Sequence, residues 1–476
     1  MDCAVLYHIG AMVSVMSGST LLIALPDIMK DLGADMSTIT WVLMGYLLIL
    51  TILVPSIGRV ADMMGRKKLY VGGFAVFTAA SLLCALSQSG FELLVFRMVQ
   101  GVGGALMVAN STAIVADAFP KNELGKALGI NMMFISVASV VGPILGGFLA
   151  SVGWRSIFYI NLPIGVLGTI WAALKLREVN SYGEKQKFDW PGTATFTAGM
   201  LALLMALTIG SFGEWGSPLV IFLFAATAVL LTAFVFIETR SGQPMLDMRL
   251  LKTRILAFAF ASNFFNGIAR GAVMLLMIFY FQGVRAIDPI TAGILMTPLA
   301  VSMFIISPIS GRLSDKYGSR GLSSIGLLIS AAGLLGLLRI SPDTSMFELI
   351  VWMFVIGLGS GFFFSPNSNS IMGAVPPDKR GIAAGVRTMF NNAGNMLSIA
   401  VSMAIIAGSV SAQAMQGLFL GTQVGSEGIV VGEFINGLKT AFAISFAFSI
   451  LAALLSYMRG PEPKWTGAAI GKQESR

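Results

Sequence analysis

Long apolar runs alternate with short polar segments along the whole chain. Each of fourteen runs is about twenty residues long, which is the length an α-helix needs to cross a bilayer with its backbone hydrogen bonds satisfied internally. The pattern therefore predicts an all-α, polytopic membrane protein with 14 transmembrane helices. The runs lie near 5–26, 37–58, 69–88, 91–116, 124–151, 156–175, 191–211, 217–237, 255–281, 289–311, 321–339, 348–368, 380–405 and 438–458.

Composition and charge agree with this pattern. Of the 476 residues 56% are hydrophobic and only 11% are charged, too few for the surface of a soluble fold. The net charge of +8 would suit a nucleic-acid partner, but 23 of the 31 Lys and Arg residues fall on alternate loops or in the C-terminal tail, whereas the opposite loops hold five. By the positive-inside rule this places both termini in the cytoplasm, so we expect no nucleic-acid partner. The first run lacks a cleavable signal pattern, and we expect it to stay a membrane helix.

A short glycine-containing motif occurs twice, between spans two and three and between spans ten and eleven. Two related six-helix bundles with two inserted spans between them explain this repeat. We predict an N-terminal bundle over 1–178, a cytoplasmic connector and the inserted pair over 179–250, a C-terminal bundle over 251–460 and a cytoplasmic tail over 461–476. Paired bundles around a central cavity are what alternating access requires. The motif residues are Gly58, Asp62, Gly65 and Arg66 in the first copy, and Gly311, Asp315 and Gly318 in the second.

The block from Gly58 to Lys68 resembles the loop signature of the major facilitator superfamily. Its glycines permit a tight turn. The resemblance implies that Asp62 and Arg66 latch the two halves in the outward-facing state, with Asp315 as a weaker counterpart.

Span four carries an arginine on the same helical face as small and amide residues. Arg97, Gln100, Gly101 and Gly104 share this face, which resembles the fourth-span motif of the same superfamily. An arginine in mid-membrane is costly, so it is expected to face a cavity or a partner. The resemblance links Arg97 to proton coupling; the alternative is an interfacial arginine that snorkels or pairs with Glu92.

Span five contains a proline among glycines that resembles the antiporter motif of exporters. The proline removes a backbone hydrogen bond and the glycines allow another helix to approach, which favours a hinge at a gate; a merely kinked structural helix is the alternative. Ala138 stands where the family has glycine. The predicted hinge residues are Gly142, Pro143, Gly146 and Gly147.

Further motifs at 154–165, 189–192 and 244–247 resemble the fourteen-span drug:proton antiporter branch of the superfamily. The resemblance implies a secondary active exporter in the cell membrane that exchanges protons for small amphipathic compounds or drugs, acts as a monomer and uses no cofactor. The alternative is an exporter of an endogenous anionic metabolite on the same scaffold. A non-transporting sensor is disfavoured because both gating motifs are intact.

The chain departs from the family in its intramembrane charge. Ser17 stands where members often carry an aspartate, and all 23 acidic residues fall in loops or near span ends. Arg97, Arg270 and Arg387 nevertheless lie within spans. Either span-end carboxylates such as Asp27, Asp35 or Glu92 reach these arginines and take the proton, an explanation we slightly favour for coupling, or the substrate is anionic and supplies the missing charge.

Polar residues within the spans are candidates for the cavity lining. We select Ser17, Gln100, Asn263 and Asn391, although contacts between helices explain such residues equally well. The two cysteines, Cys3 and Cys84, read as small buried hydrophobes, and no metal site is expected. No nucleophile–base pair or phosphate-binding loop stands out, so we expect no enzyme activity.

Overall fold

The fold is known from a computed structural model, which describes residues 2–118, 124–176, 189–210, 215–242, 244, 252–375, 380–410 and 427–460. Within these ranges the chain is helical and contains no strand, which confirms the all-α prediction. Thirteen segments in the described part are long and apolar enough to cross a membrane, and a shorter apolar stretch, Val141–Val152, lies in the remaining long helix.

In the described residues up to 242, nine helices form the N-terminal half and the inserted pair. Their bounds are α1 Asp2–Leu32, α2 Met36–Met64, α3 Arg66–Leu86, α4 Gly90–Ala118, α5 Leu124–Val152, α6 Ser156–Tyr159, α7 Asn161–Lys175, α8 Trp190–Ile209 and α9 Pro218–Arg240.

Eight helices form the described part of the C-terminal half. They are α10 Arg254–Arg270, α11 Val273–Phe279, α12 Pro289–Leu295, α13 Thr297–Tyr317, α14 Ser319–Leu337, α15 Met346–Ala374, α16 Arg380–Ser409 and α17 Glu427–Met458, with a π-helical turn Tyr280–Val284 after α11.

Three predicted spans are interrupted rather than continuous. Span six breaks at Ile160 and span ten at Met296, while span nine breaks at Gly271 and Ala272. At the break in span nine the Ala272 N–H donates to Ser398 Oγ at 3.0 Å. Irregular backbone is tolerated at membrane depth where it is buried in protein or lines a cavity. Apolar length alone does not reveal such breaks.

Both copies of the repeated motif build the same turn. Gly65 joins α2 to α3 with φ 97° and ψ 130°, and Gly318 joins α13 to α14 with φ 84° and ψ 160°. Each glycine donates its N–H back to the preceding helix, Gly65 to Ala61 O at 3.0 Å and Gly318 to Ser314 O at 2.9 Å. Only glycine adopts such a positive φ readily. The sequence repeat is therefore a structural repeat.

The two halves meet along α2 with α16 and along α5 with α12 and α13. The contact between α2 and α16 is close, because a Cβ at Gly385 would lie 3.0 Å from Pro55 Cα. The inserted helices α8 and α9 pack against each other, with Phe196 and Phe234 ring centroids 5.1 Å apart. Of this pair, α8 also contacts α2 of the N-terminal bundle and α16 of the C-terminal bundle.

Replacing Gly318 by alanine should destabilise the protein by roughly 1–3 kcal/mol, because its backbone lies in a region that residues with a Cβ rarely adopt. The matched control is Gly321→Ala, since Gly321 lies in α14 with open space around it. Thermal unfolding of the purified protein in detergent measures both. Equal unfolding temperatures for the two variants would contradict a strained turn at Gly318.

Candidate substrate cavity

A cavity of about 340 Å³ lies between the two halves. Its volume is at the lower end of the range of about 300–1,000 Å³ that small-molecule sites occupy. Helices α1, α2 and α4 line it from one half and α10, α11, α13, α15 and α16 from the other. The lining residues are Ala11, Ser14, Val15, Gly18, Ser19, Leu22, Leu43, Tyr46, Leu47, Leu50, Arg97, Val108, Arg270, Gly271, Met274, Leu275, Leu299, Ala300, Met303, Phe364, Arg387, Thr388, Asn391, Asn392, Asn395 and Ile399.

All three intramembrane arginines line this cavity. Arg97 comes from α4 in the N-terminal half, whereas Arg270 and Arg387 come from α10 and α16 in the C-terminal half. The structure thus brings together residues that are far apart in sequence. Charged side chains inside a membrane protein generally face a polar cavity or a partner, and these three face the same cavity.

Arg97 is held by neighbours in its own half. Its Nη1 donates to Ser17 Oγ at 3.1 Å and to Gln100 Oε1 at 2.6 Å, and Gln100 Nε2 donates to Ser81 Oγ at 2.7 Å. The guanidinium also lies 4.5 Å from the centroid of the Tyr46 ring, a cation–π contact. Ser17 and Gln100 were predicted to line the cavity. In the structure they accept hydrogen bonds from Arg97 and are not among the lining residues.

Arg270 lies at the C-terminal end of α10, beside the break in span nine. A cation is favoured there because the end of a helix carries partial negative charge. Its guanidinium lies 5.0 Å from the centroid of the Phe364 ring. In the part of the chain that is described, its side chain makes no hydrogen bond and no ion pair.

Arg387 and Asn391 lie one turn apart on α16 and both line the cavity. The Arg387 side chain likewise has no hydrogen-bond partner among the described residues, and its buried Nε and the buried Nδ2 of Asn391 are both unsatisfied. Asn263, a predicted lining residue, is fully buried and donates to the backbone oxygen of Arg387 at 2.7 Å. It therefore positions α16 rather than lining the cavity.

Small residues bring α10 and α16 into close contact at this point. A Cβ at Gly267 would lie 2.6 Å from Asn391 O, and a Cβ at Gly271 would lie 2.5 Å from Asn395 Cα. Glycines four residues apart form one face of a helix and let a neighbouring backbone approach. This packing places Arg270, Arg387 and Asn391 on two adjacent helices that both line the cavity.

No carboxylate among the described side chains lines the cavity. Two of the three span-end carboxylates that were candidate partners of the arginines have other contacts, and the third, Asp27, is exposed near the end of α1. Asp35 accepts from Thr38 N at the start of α2, and Glu92 accepts from Gln88 N near the start of α4. Asp31 accepts from Arg155 at 2.6 Å. The structure therefore gives no support to pairing of Arg97 with Glu92.

The predicted latch residues are only partly described. Gly58 and Asp62 lie on α2, but their surroundings and the Asp62 side chain are outside the described residues. Arg66 is buried at the start of α3, and Gly311 is buried on α13. Asp315 accepts from Asn369 Nδ2 of α15 at 2.9 Å. That contact lies within the C-terminal half, so a latch between the halves stays a prediction.

The predicted hinge residues all lie at helix contacts of α5. A Cβ at Gly142 would overlap Ser19 Oγ, and a Cβ at Gly146 would lie 2.6 Å from Thr20 O, so these two glycines face α1. Gly147 faces the other half, where a Cβ would lie 2.8 Å from Pro289 O. A Cβ at Gly293 of α12 would in turn lie 2.5 Å from Pro143 O. The motif thus packs α5 between its own half and the opposite half.

Comparison with known proteins agrees with this architecture. The family model described as Major Facilitator Superfamily matches residues 7–245 and 259–475, which is nearly the whole chain. The chain belongs to the Major Facilitator Superfamily. The superfamily is one of transporters, so this chain is a multi-pass membrane transporter.

Two curated relatives and one solved structure describe the similarity more closely. The chain is 32% identical to multidrug transporter protein MdtP of Bacillus subtilis, over 83% of this chain and 73% of that one. It is 32% identical to riboflavin transporter RibZ of Clostridioides difficile, over 85% and 87%. The crystal structure of the human organic anion transporter MFSD10 (TETRAN) superposes with a TM-score of 0.67 at 14% identity, covering 95% and 98%, and so shares the fold.

Sequence reasoning missed several residues of this transporter's cavity. Tyr46, whose hydroxyl donates to Ser14 O at 3.1 Å, and Phe364 both contact arginines. Neither residue belongs to a sequence motif that would have identified it as part of the cavity. Gly267 and Gly271 do form a recognisable small-residue pair in span nine, and Arg270 lies between them in the sequence, so that signal was available.

Arg97 and Arg270 should respond differently to removal of their charge. Arg97→Gln should lower the free energy of unfolding by about 1–3 kcal/mol, because it leaves the buried polar partners of Arg97 unsatisfied. Arg270→Gln should leave the free energy of unfolding unchanged or raise it, because the substitution removes a charge that has no partner among the described residues. Thermal unfolding in detergent without added ligand measures both. A large loss of stability in Arg270→Gln would contradict the absence of a protein partner for Arg270.

Proposed function

We propose that this protein is a proton-coupled exporter of small amphipathic compounds or drugs that works by alternating access. The observation that carries the proposal is the cavity between two repeated bundles, with Gly147 of α5 against α12 at one contact between the halves. Rocking one bundle against the other around this cavity exposes it to each side in turn. Similarity to MdtP, a multidrug transporter, supports export of drugs.

The latch and hinge residues act at the two contacts between the halves. Close glycine packing at Gly147 and Gly293 holds one contact shut, and separation of α5 from α12 opens it. Asp62, Arg66 and Asp315 lie at the repeated turns and hold the other contact. The exporter acts as a monomer in the cell membrane with both termini in the cytoplasm, an orientation supported by the distribution of Lys and Arg.

Proton coupling supplies enough free energy for useful export. One elementary charge that crosses 100 mV releases about 2.3 kcal/mol. Because a tenfold concentration ratio corresponds to about 1.4 kcal/mol, one proton can sustain a substrate gradient of about fortyfold.

An exporter of an endogenous anionic metabolite is the second candidate. It is favoured by three arginines in a cavity for which no acidic lining residue is described. Similarity to RibZ, a riboflavin transporter, supports a metabolite as the substrate.

Flux through the reconstituted protein tests proton coupling. In proteoliposomes with the cytoplasmic face outward, an acidic lumen should drive accumulation of small amphipathic dyes, because protons leave as dye enters. A protonophore should abolish the accumulation, and liposomes without protein are the control. Accumulation that persists with the protonophore would contradict proton coupling, and no accumulation of anionic, neutral or cationic dyes would contradict proton-driven export.

A further inference from the structure

Two guanidinium groups in the cavity lack protein partners. Arg270 is stacked on Phe364, and its side chain makes no hydrogen bond or ion pair in the described part of the chain. Arg387 has a buried Nε without a partner, and so does the amide nitrogen of Asn391, one turn further along α16. All of these unsatisfied groups are hydrogen-bond donors. A site that holds unpaired donors and no acceptor carboxylate is matched to a ligand that only accepts.

The register of α10 and α16 brings these donors to one wall of the cavity. Asn263 contacts Arg387, Gly267 approaches Asn391 and Gly271 approaches Asn395, so the two helices run parallel in constant register. With a rise of about 1.5 Å per residue, Arg270 and Arg387 start about 10 Å apart along the helix axes, with Asn391 between them. Arginine side chains are long enough to converge on one group from such positions.

The opposite wall of the cavity has a different character. From the N-terminal half it is lined by apolar side chains, Leu22, Leu43, Leu47, Leu50 and Val108 among them. On that side the Arg97 guanidinium donates from Nη1 to Ser17 and Gln100, and its buried Nε has no hydrogen-bond partner among the described residues. The free positive charge is therefore on the C-terminal wall, and the N-terminal wall is mainly apolar.

We propose that Arg270, Arg387 and Asn391 form an anion-binding site, and that the transported compound is an amphipathic anion. Its carboxylate, sulfonate or phosphate accepts from the C-terminal wall, and its apolar body lies on the N-terminal wall. The inference rests on the proposed function and specifies its substrate class. Guanidinium groups suit such a ligand because their planar edges donate two parallel hydrogen bonds to an oxyanion.

The same geometry disfavours cationic compounds. A cation in the cavity would meet three arginines and, among the described lining residues, no carboxylate. Anion export also moves charge in a favourable direction, because an interior-negative potential drives negative charge outward. The membrane potential therefore favours both inward movement of the proton and outward movement of the anion.

Three dansyl compounds of similar size test the site. Dansylglycine is an anion, dansylglycinamide is neutral and dansylcadaverine is a cation. Binding to the purified full-length protein is followed by dansyl fluorescence, and transport is followed in proteoliposomes. The variants are Arg270→Gln, Arg387→Gln and Asn391→Ala. The matched control is Arg339→Gln, which removes an arginine exposed outside the cavity.

We expect the wild type to bind dansylglycine at least about tenfold more tightly than the other two compounds, since hydrogen bonds to charged groups are the strong ones. Arg270→Gln and Arg387→Gln should each raise the Kd for dansylglycine about tenfold or more and leave that for dansylglycinamide within about twofold. Asn391→Ala should have a smaller effect in the same direction, and Arg339→Gln should have none.

Two results would overturn the anion site. One is tighter binding of dansylcadaverine than of dansylglycine by the wild type. The other is an equal change in the Kd values for dansylglycine and dansylglycinamide in the variants Arg270→Gln and Arg387→Gln. Because binding is measured without flux, the two proposals fail separately. Anion binding without proton-driven flux would remove the proposed function alone, and proton-driven flux of the cation without anion preference would remove the anion site alone.

Discussion

A positive charge inside a membrane must be met by a partner, by water or by a ligand, and this constraint organises the centre of the protein. The cost of a lone arginine at the middle of a membrane helix is about 2.5 kcal/mol or more. Arg97 meets the constraint with a serine, a glutamine and an aromatic ring of its own half. Arg270 and Arg387 instead face the cavity with no hydrogen-bond partner for their side chains among the described residues, so the guanidinium groups open to a ligand lie on the C-terminal wall.

Glycine residues make this arrangement possible in two ways, by forming turns and by allowing helices to pack closely. At Gly65 and Gly318 a positive φ closes the same turn in each half, so one chain folds into two related bundles. At Gly267, Gly271 and Gly394 the absence of a side chain lets α10 and α16 approach until backbone meets backbone. The close packing of α10 and α16 places two arginines on one wall of the cavity between the bundles.

Much of the fold was predictable from the sequence, because membrane crossing imposes a length and an apolar composition that can be read directly. The breaks at Ile160, Gly271 and Met296 were not predictable, since they depend on packing partners such as Ser398 that are remote in sequence. Arg97, Arg270, Arg387 and Asn391 line the cavity, whereas Ser17, Gln100 and Asn263 form hydrogen bonds to lining residues instead. Apolar periodicity does not distinguish a polar residue that faces a cavity from one that supports it.

The central claim is that the C-terminal wall binds the acidic group of the substrate. A structure of the protein with dansylglycine bound tests this most directly. We predict the carboxylate within about 2.7–2.9 Å of guanidinium nitrogens of Arg270 and Arg387, with the dansyl ring against the apolar N-terminal wall. A carboxylate facing the N-terminal wall, with the dansyl ring stacked between these two arginines, would contradict the account.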